Sequence, residues 1–318
     1  MIIFLYGPDS YRLRQYAQGL QDRYVAKYPS GLNLINIDGT QPGWVEQVSD
    51  TARNVSFFDE VRLAIIRQPF HQKNSAEALA ALVADQDLVQ RKDIVVMAIE
   101  YRPGKELKTT HKGLFELLNR KGNTIQEFEH LSAAALITWV RQEIQRQDSA
   151  IADNAITALI ERVGPDTWSL SREIEKLVNY RFGDTVLKED VAALISSSQD
   201  ANIFNLIDAF ANKHQPSFYE LLYREFHGGR DPYYVLTMLV YQTRNLLAVK
   251  NLAARNYSAD DIAKTLSLHP FVVRKTLAQA RKFQPNDLQQ LFSRLADLEL
   301  GTKQGVLHLD DQLFLILS

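Results

Sequence analysis

An α/β domain followed by an all-helical remainder is the fold class this sequence predicts, and three observations carry it. Short apolar, β-branched runs alternate with helix-spaced segments through about residue 130. After Phe128 the strand signal stops, and apolar residues recur at helical spacing only. At 318 residues the chain is too long for one simple core, so two or three domains are expected.

Ile2 to Tyr6 is a continuous apolar run closed by Gly7-Pro8, a buried strand and its turn. Ser10 can cap a helix carrying Tyr11, Leu13, Tyr16, Leu20 and Tyr24. Leu32 to Ile37 is the next strand, closed by Asp38-Gly39. Thr40 can cap a helix whose apolar face is Val45, Val48, Ala52 and Val55, with Pro42 tolerated in the first turn. Leu63 to Ile66 is a strand, Ala76 to Val89 a helix, and Ile94 to Ile99 a strand with almost no polar residue, as at the centre of a parallel sheet. Leu107 to Leu118 is a helix, and Gly122 to Phe128 holds a last short strand. Units of this kind imply a doubly wound domain over about residues 1 to 130.

Ser132 caps the next helix, with Leu136, Trp139, Val140 and Ile144 on one face. Helices are expected over 153–163, ended by Gly164-Pro165, over 168–180, and over 188–195. These make a small bundle over residues 131–198, closed by the polar stretch Ser196 to Asp200. Further helices follow over 203–211, 218–226, 233–252, 259–266, 271–283, 287–300 and 307–317, a third domain over 199–318.

Two phenylalanines mark the junction of the second helix and third strand. If the helix runs on through them, Phe58 falls near the Val55 face, and Phe57 lies about 200° round from Val55 at roughly 100° per residue, aimed away from the core. Either both rings are buried at the start of the strand, or Phe57 is offered to a partner.

Several function classes are disfavoured. A formal net charge of -2 argues against whole-surface nucleic-acid binding. Without cysteine, disulfides and thiolate metal sites are excluded. His214, His227, His269 and His308 form no i,i+4 pair, so no metal site or other cofactor is expected. The apolar N-terminal run is too short for a signal peptide or a membrane span, which places the chain in the cytoplasm. Gly7 matches the first position of the phosphate-binding pattern G-x-x-x-x-G-K-[ST], but Arg12, Leu13 and Arg14 occupy the other three fixed positions. Glu100 is the one acidic candidate for magnesium at a strand end. Hydrolysis needs cradle, metal ligand and base together, so none is expected. Arg274-Lys275 and Arg281-Lys282 lie seven residues apart, near one helix face. That face is either solvated or tracks phosphates.

Four stretches now line up in order: Phe4 to Tyr11, Ser56-Phe57-Phe58 before Arg62 to Arg67, Asn202 to Ala209, and His269 to Lys275 leading to Ala280-Arg281-Lys282-Phe283. In these the chain resembles the delta subunit family of the bacterial DNA polymerase III clamp loader. The resemblance covers nearly the whole chain, and His-Pro-Phe-Val-Val is its most specific piece. It implies an AAA+-like domain that has lost its P-loop (1–130), a helical lid (131–198) and a helical collar (199–318). The collar packs with the gamma/tau ATPase subunits and delta-prime into a pentamer. It also implies a subunit without catalysis of its own, in an assembly that is a DNA-directed DNA polymerase. This subunit binds the sliding clamp, the beta subunit, and holds its ring open for primed DNA. The family's grip is a Ser-Leu-Phe segment, here Ser56, Phe57 and Phe58, with Phe57 in place of leucine. Rival classes are an active AAA+-type ATPase and a stand-alone DNA-binding protein using Arg274, Lys275, Arg281 and Lys282.

Overall fold

Five parallel strands organise the first 130 residues, in the order β2-β3-β4-β1-β5. They are β1 (Ile2–Tyr6), β2 (Leu34–Asp38), β3 (Arg62–Arg67), β4 (Ile94–Glu100) and β5 (Thr124–Glu127). The helices between them are α1 (Ser10–Lys27), α2 (Trp44–Arg53), α3 (Lys73–Asp85), α4 (Gly104–Thr110) and α5 (Lys112–Leu118). The computed structural model describes residues 1–318 except 55–59, 198, 213, 305–308 and 318.

The sheet is apolar because both faces are covered, and side chains alternate between them. Phe4, Ala64, Ile66, Val96 and Ala98 pack on one side with Trp44 and Val48 of α2, Leu79 of α3 and Phe115 of α5. Ile3, Leu5, Leu63, Ile65, Met97 and Ile99 pack on the other with Leu13 and Ala17 of α1.

Element boundaries moved where side chains compete for the backbone. α1 is capped by Asp9, not Ser10: the Asp9 carboxylate accepts from the Arg12 N–H at 3.2 Å. Thr40 caps nothing, because Asp38 takes its N–H and hydroxyl at 2.9 and 2.7 Å. α2 begins instead after Gly43, which is left-handed at φ 77°. The helix expected over 107–118 is two, broken at His111. The Thr109 and Thr110 hydroxyls each bond back to a carbonyl four residues earlier, at 2.9 Å. β2 starts at Leu34 rather than Leu32, which is exposed.

The second compact unit, Leu131–Ser318, is helical. It comprises α6 (Ala133–Gln145), α7 (Asp153–Val163), α8 (Thr167–Arg181), α9 (Lys188–Leu194), α10 (Gln199–Ala211), α11 (Gln215–His227), α12 (Pro232–Ala254), α13 (Ala259–Leu266), α14 (Pro270–Ala280), α15 (Pro285–Lys303) and α16 (Leu309–Phe314), with a 3-10 turn over Leu315–Leu317. Ser132 caps α6, accepting from the Ala135 N–H at 3.3 Å. The stretch over 196–200 is shorter than expected as a linker, since α10 already begins at Gln199. Leu206, Leu222, Leu236, Leu246, Leu288 and Leu313 join α10, α11, α12, α15 and α16 around one core. Among the described residues, no helix is long and apolar enough to cross a membrane.

Candidate functional site

The turn after β1 is built for the chain's own backbone. Gly7 has φ 137°, and a Cβ placed on it would sit 2.3 Å from the Phe128 carbonyl oxygen. The Gly7 N–H donates to Glu100 O at 3.0 Å, and the Asp9 N–H to Phe128 O at 3.1 Å. Glycine is therefore required by the approach of β5's end, not by a phosphate. The first turn of α1 already holds an anion of its own, the buried Asp9 carboxylate, which Arg12 binds at 3.1 Å. Arg12 also donates to Glu129 O at 3.0 Å and lies over the Phe128 ring. A phosphate at this helix end would meet a carboxylate where a P-loop offers amide groups.

Glu100 is buried at the end of β4. Its carboxylate accepts from the Tyr101 and Phe70 N–H groups at 3.0 and 3.4 Å and from Arg102 at 3.2 and 3.3 Å. Those bonds hold it as a structural anchor. Among the described residues, no group of three or more His, Asp or Glu is placed to hold a metal ion.

Ser56, Phe57 and Phe58 lie outside the described residues, but both roots of their segment do not. α2 ends at Arg53, and Asn54 leaves it extended, at φ -65° and ψ 144°. The outward aim expected for Phe57 lies outside the described residues with it. Arg62, where the chain returns into β3, is almost fully buried. Its guanidinium donates to the carbonyls of Thr51 (2.6 Å), Ala52 (3.4 Å) and Asn54, and to the Asp93 carboxylate. Arg91 donates to Ala52 O at 2.8 Å and to Asp93 at 2.9 Å. Bonds from Arg91, outweighing the cost of burial, hold the Asp93 carboxyl well below the usual carboxylate range. On the return side, Glu60 accepts from Ser30 at 2.6 Å and Asn33 at 2.8 Å, and the Tyr24 hydroxyl donates to Val61 O at 2.6 Å.

The sequence carried one signal for this clasp that went unread. Arg62 opens β3 as Asp93 precedes β4, and parallel pairing puts such neighbours side by side; the Arg62 N–H donates to Asp93 O at 2.9 Å.

The cations of α14 and of the turn after it separate. Lys275 lies over the Phe204 ring at 4.4 Å and Lys282 pairs with Asp208 at 3.0 Å, so both face α10. Arg274 turns to Asp260 of α13, 3.8 Å away. Arg281 is exposed just past the helix.

Residues 4–128 match the family model described as DNA polymerase III, delta subunit. Residues 200–317 match that described as DNA polymerase III delta subunit, C-terminal domain. Together the matches span well over half of the chain and include both the 55–59 segment and α14. The chain is similar to the DNA polymerase III subunit delta of Bacillus subtilis (strain 168), with 25% identity over 309 residues, 95% of this chain and 87% of that protein. Among solved structures it is similar to the Bacillus subtilis DNA clamp loader delta protein, with a TM-score of 0.73 at 23% identity over 99% of this chain and 94% of that one. That likeness carries the fold: an AAA+-like α/β unit followed by helices.

Proposed function

The chain belongs to the DNA polymerase III delta subunit family, and from that premise we propose that it grips the sliding clamp and holds one interface of the ring open. Ser56, Phe57 and Phe58 are the grip. Aromatic anchors of this kind act as hot spots worth about 2 kcal/mol or more each on truncation. The observation that supports the reading is the clasp of Arg62: both roots of the 55–59 segment are tied to one guanidinium, so the segment leaves and rejoins the domain at a fixed place. Preorganised presentation lowers the ordering cost of binding. Higher affinity for the open ring than for the closed one is what shifts the clamp's equilibrium.

In this reading the chain hydrolyses no ATP. The closed Gly7 turn, the Asp9 cap and the engaged Glu100 support that, and the ATPase subunits gamma/tau supply the energy. Residues 131–198 form the lid and 199–318 the collar that packs with gamma/tau and delta-prime in a pentamer around primed DNA, in the cytoplasm. The stand-alone DNA-binding reading loses ground because Arg274, Lys275 and Lys282 each engage the chain's own side chains.

The test is binding of the purified chain to the sliding clamp from the same source, wild type beside Phe57→Ala/Phe58→Ala. Binding by wild type that is lost in a still-folded double variant supports the grip. Equal binding by both sinks it.

A further inference from the structure

One face of the sheet is covered less completely than the other. Among the described residues of the first unit, α2, α3, α4 and α5 contribute to the core on one face, and α1 alone among these helices to that on its reverse. Five strands at about 4.8 Å spacing are wider than one helix of about 10 Å diameter. A groove of about 270 Å³ remains between α1 and the carboxyl ends of β3 and β4. Carboxyl ends of strands are where open α/β sheets take ligands.

The floor of the groove is apolar: Ala17, Ile65 and Ile99. Its rim carries Arg14 and two glutamines from α1, Arg67 from the end of β3, and Tyr101 just past β4. The Arg14 guanidinium lies over the Tyr101 ring, 5.4 Å from its centre. Arg67 donates to Asn36 Oδ1 at 2.9 Å, a bond that uses one of five guanidinium donors and holds the group at the mouth. Asp22 of α1 is bound by Gln18 at 2.8 Å, and none of the described lining residues is acidic.

Two guanidinium groups beside an apolar floor and a partly exposed ring are the combination that a nucleic-acid strand uses. The cations take phosphates, and the exposed part of the Tyr101 ring takes a base by its face, whatever its identity, above a floor that holds no charge. An acidic peptide would engage the arginines and leave the ring without purpose. We propose that this groove is a subsite for a single DNA strand, bound without sequence preference. The proposal goes beyond the clamp-binding reading and does not depend on it.

The full chain is titrated with a short fluorescein-labelled oligo(dT) across a salt series, by anisotropy. Arg14→Gln with Arg67→Gln lowers affinity at least tenfold at low salt. The slope of log K against log salt flattens by about 1.4, from two contacts at about 0.7 each. Tyr101→Leu weakens binding several-fold and leaves the slope alone. Melting curves check folding, and Arg14→Glu, on the exposed side of α1, is a second variant expected to abolish binding. No binding by wild type at low salt, or unchanged affinity in these variants, overturns the proposal. So does displacement by dTMP as strong as by unlabelled oligo(dT) at equal phosphate, which assigns the groove to a free nucleotide. Variants that lose a polyglutamate peptide but keep oligo(dT) assign it to a protein partner, with the same consequence.

Discussion

The Arg62 guanidinium, at the first position of β3, donates at 2.6 Å to the carbonyl of Thr51 in the last turn of α2. The last carbonyls of a helix have no partner within it, and a cation there also meets the negative end of the helix dipole. Arg62 meets both needs from a different element, and Asp93 balances its charge. Helix, loop roots and two strand starts are thereby one unit.

Replacing Arg62 with methionine keeps the apolar stem and removes every donor. The expected loss is about 2–4 kcal/mol, since several carbonyls and a carboxylate lose a charged partner. Arg62→Lys keeps the charge without the planar fork and falls between. Urea denaturation checks this, read by Trp44 of α2 in a Trp139→Phe/Trp168→Phe background. If the Ser56-Phe57-Phe58 grip is real, the lysine variant also binds the clamp more weakly while its fold persists; unchanged affinity would show that the clasp does not set the grip.

Asp93 gives the first unit an acid-sensitive joint. Its folded carboxyl lies below the ordinary value of about 3.9, so the unfolded chain takes up the proton first as pH falls. The stabilisation is complete above the ordinary value and is lost as pH falls through it toward the folded one. Asp93→Asn should be less stable than wild type at pH 7 and converge with it on acidification. Parallel stability curves for the two proteins would refute the assignment.

Much of this architecture was legible because it is written in local periodicity. The runs Ile2–Tyr6 and Ile94–Ile99 are apolar on both faces, and the sheet buries both. What escaped was which side chain takes which partner, whether two to four residues away or on a neighbouring strand. Asp38 disarms Thr40 as a cap, the Thr109-Thr110 pair breaks a helix, and Arg62 finds Asp93 across two strands. The spacing of Lys275 and Lys282 did place them on one face. That the face is turned to Phe204 and Asp208 of α10 required the packing itself.

Gly7→Ala tests whether the first turn serves phosphate or backbone. A left-handed conformation that L side chains avoid costs about 1–3 kcal/mol, and the clash with the Phe128 backbone adds to it. The variant should melt well below wild type, and ATP should shift neither melting curve. An ATP-dependent rise in the wild-type melting temperature would revive the nucleotide-binding reading.

Gln279 ties α10, α12 and α14 together by both ends of its amide. Its Nε2 donates to Phe204 O at 2.8 Å and Asp208 at 3.0 Å, and its Oε1 accepts from Gln242 at 3.2 Å, in a site almost closed to water. Gln279→Leu leaves the Gln242 amide and the Phe204 carbonyl without these partners and should cost about 1–3 kcal/mol. Gln279→Glu is nearly isosteric yet should cost more at pH 7, because an acceptor-only carboxylate then faces a carbonyl and Asp208. Burial and Asp208 raise the pKa of that new carboxyl in the fold. Its deficit is therefore largest above the raised value and shrinks as pH falls toward the ordinary glutamate value of about 4.3. Denaturant midpoints of both variants at pH 7 and pH 5 decide the matter: the gap between glutamate and leucine should narrow on acidification. A gap indifferent to pH would mean that Gln279 acts by shape and not by its hydrogen bonds.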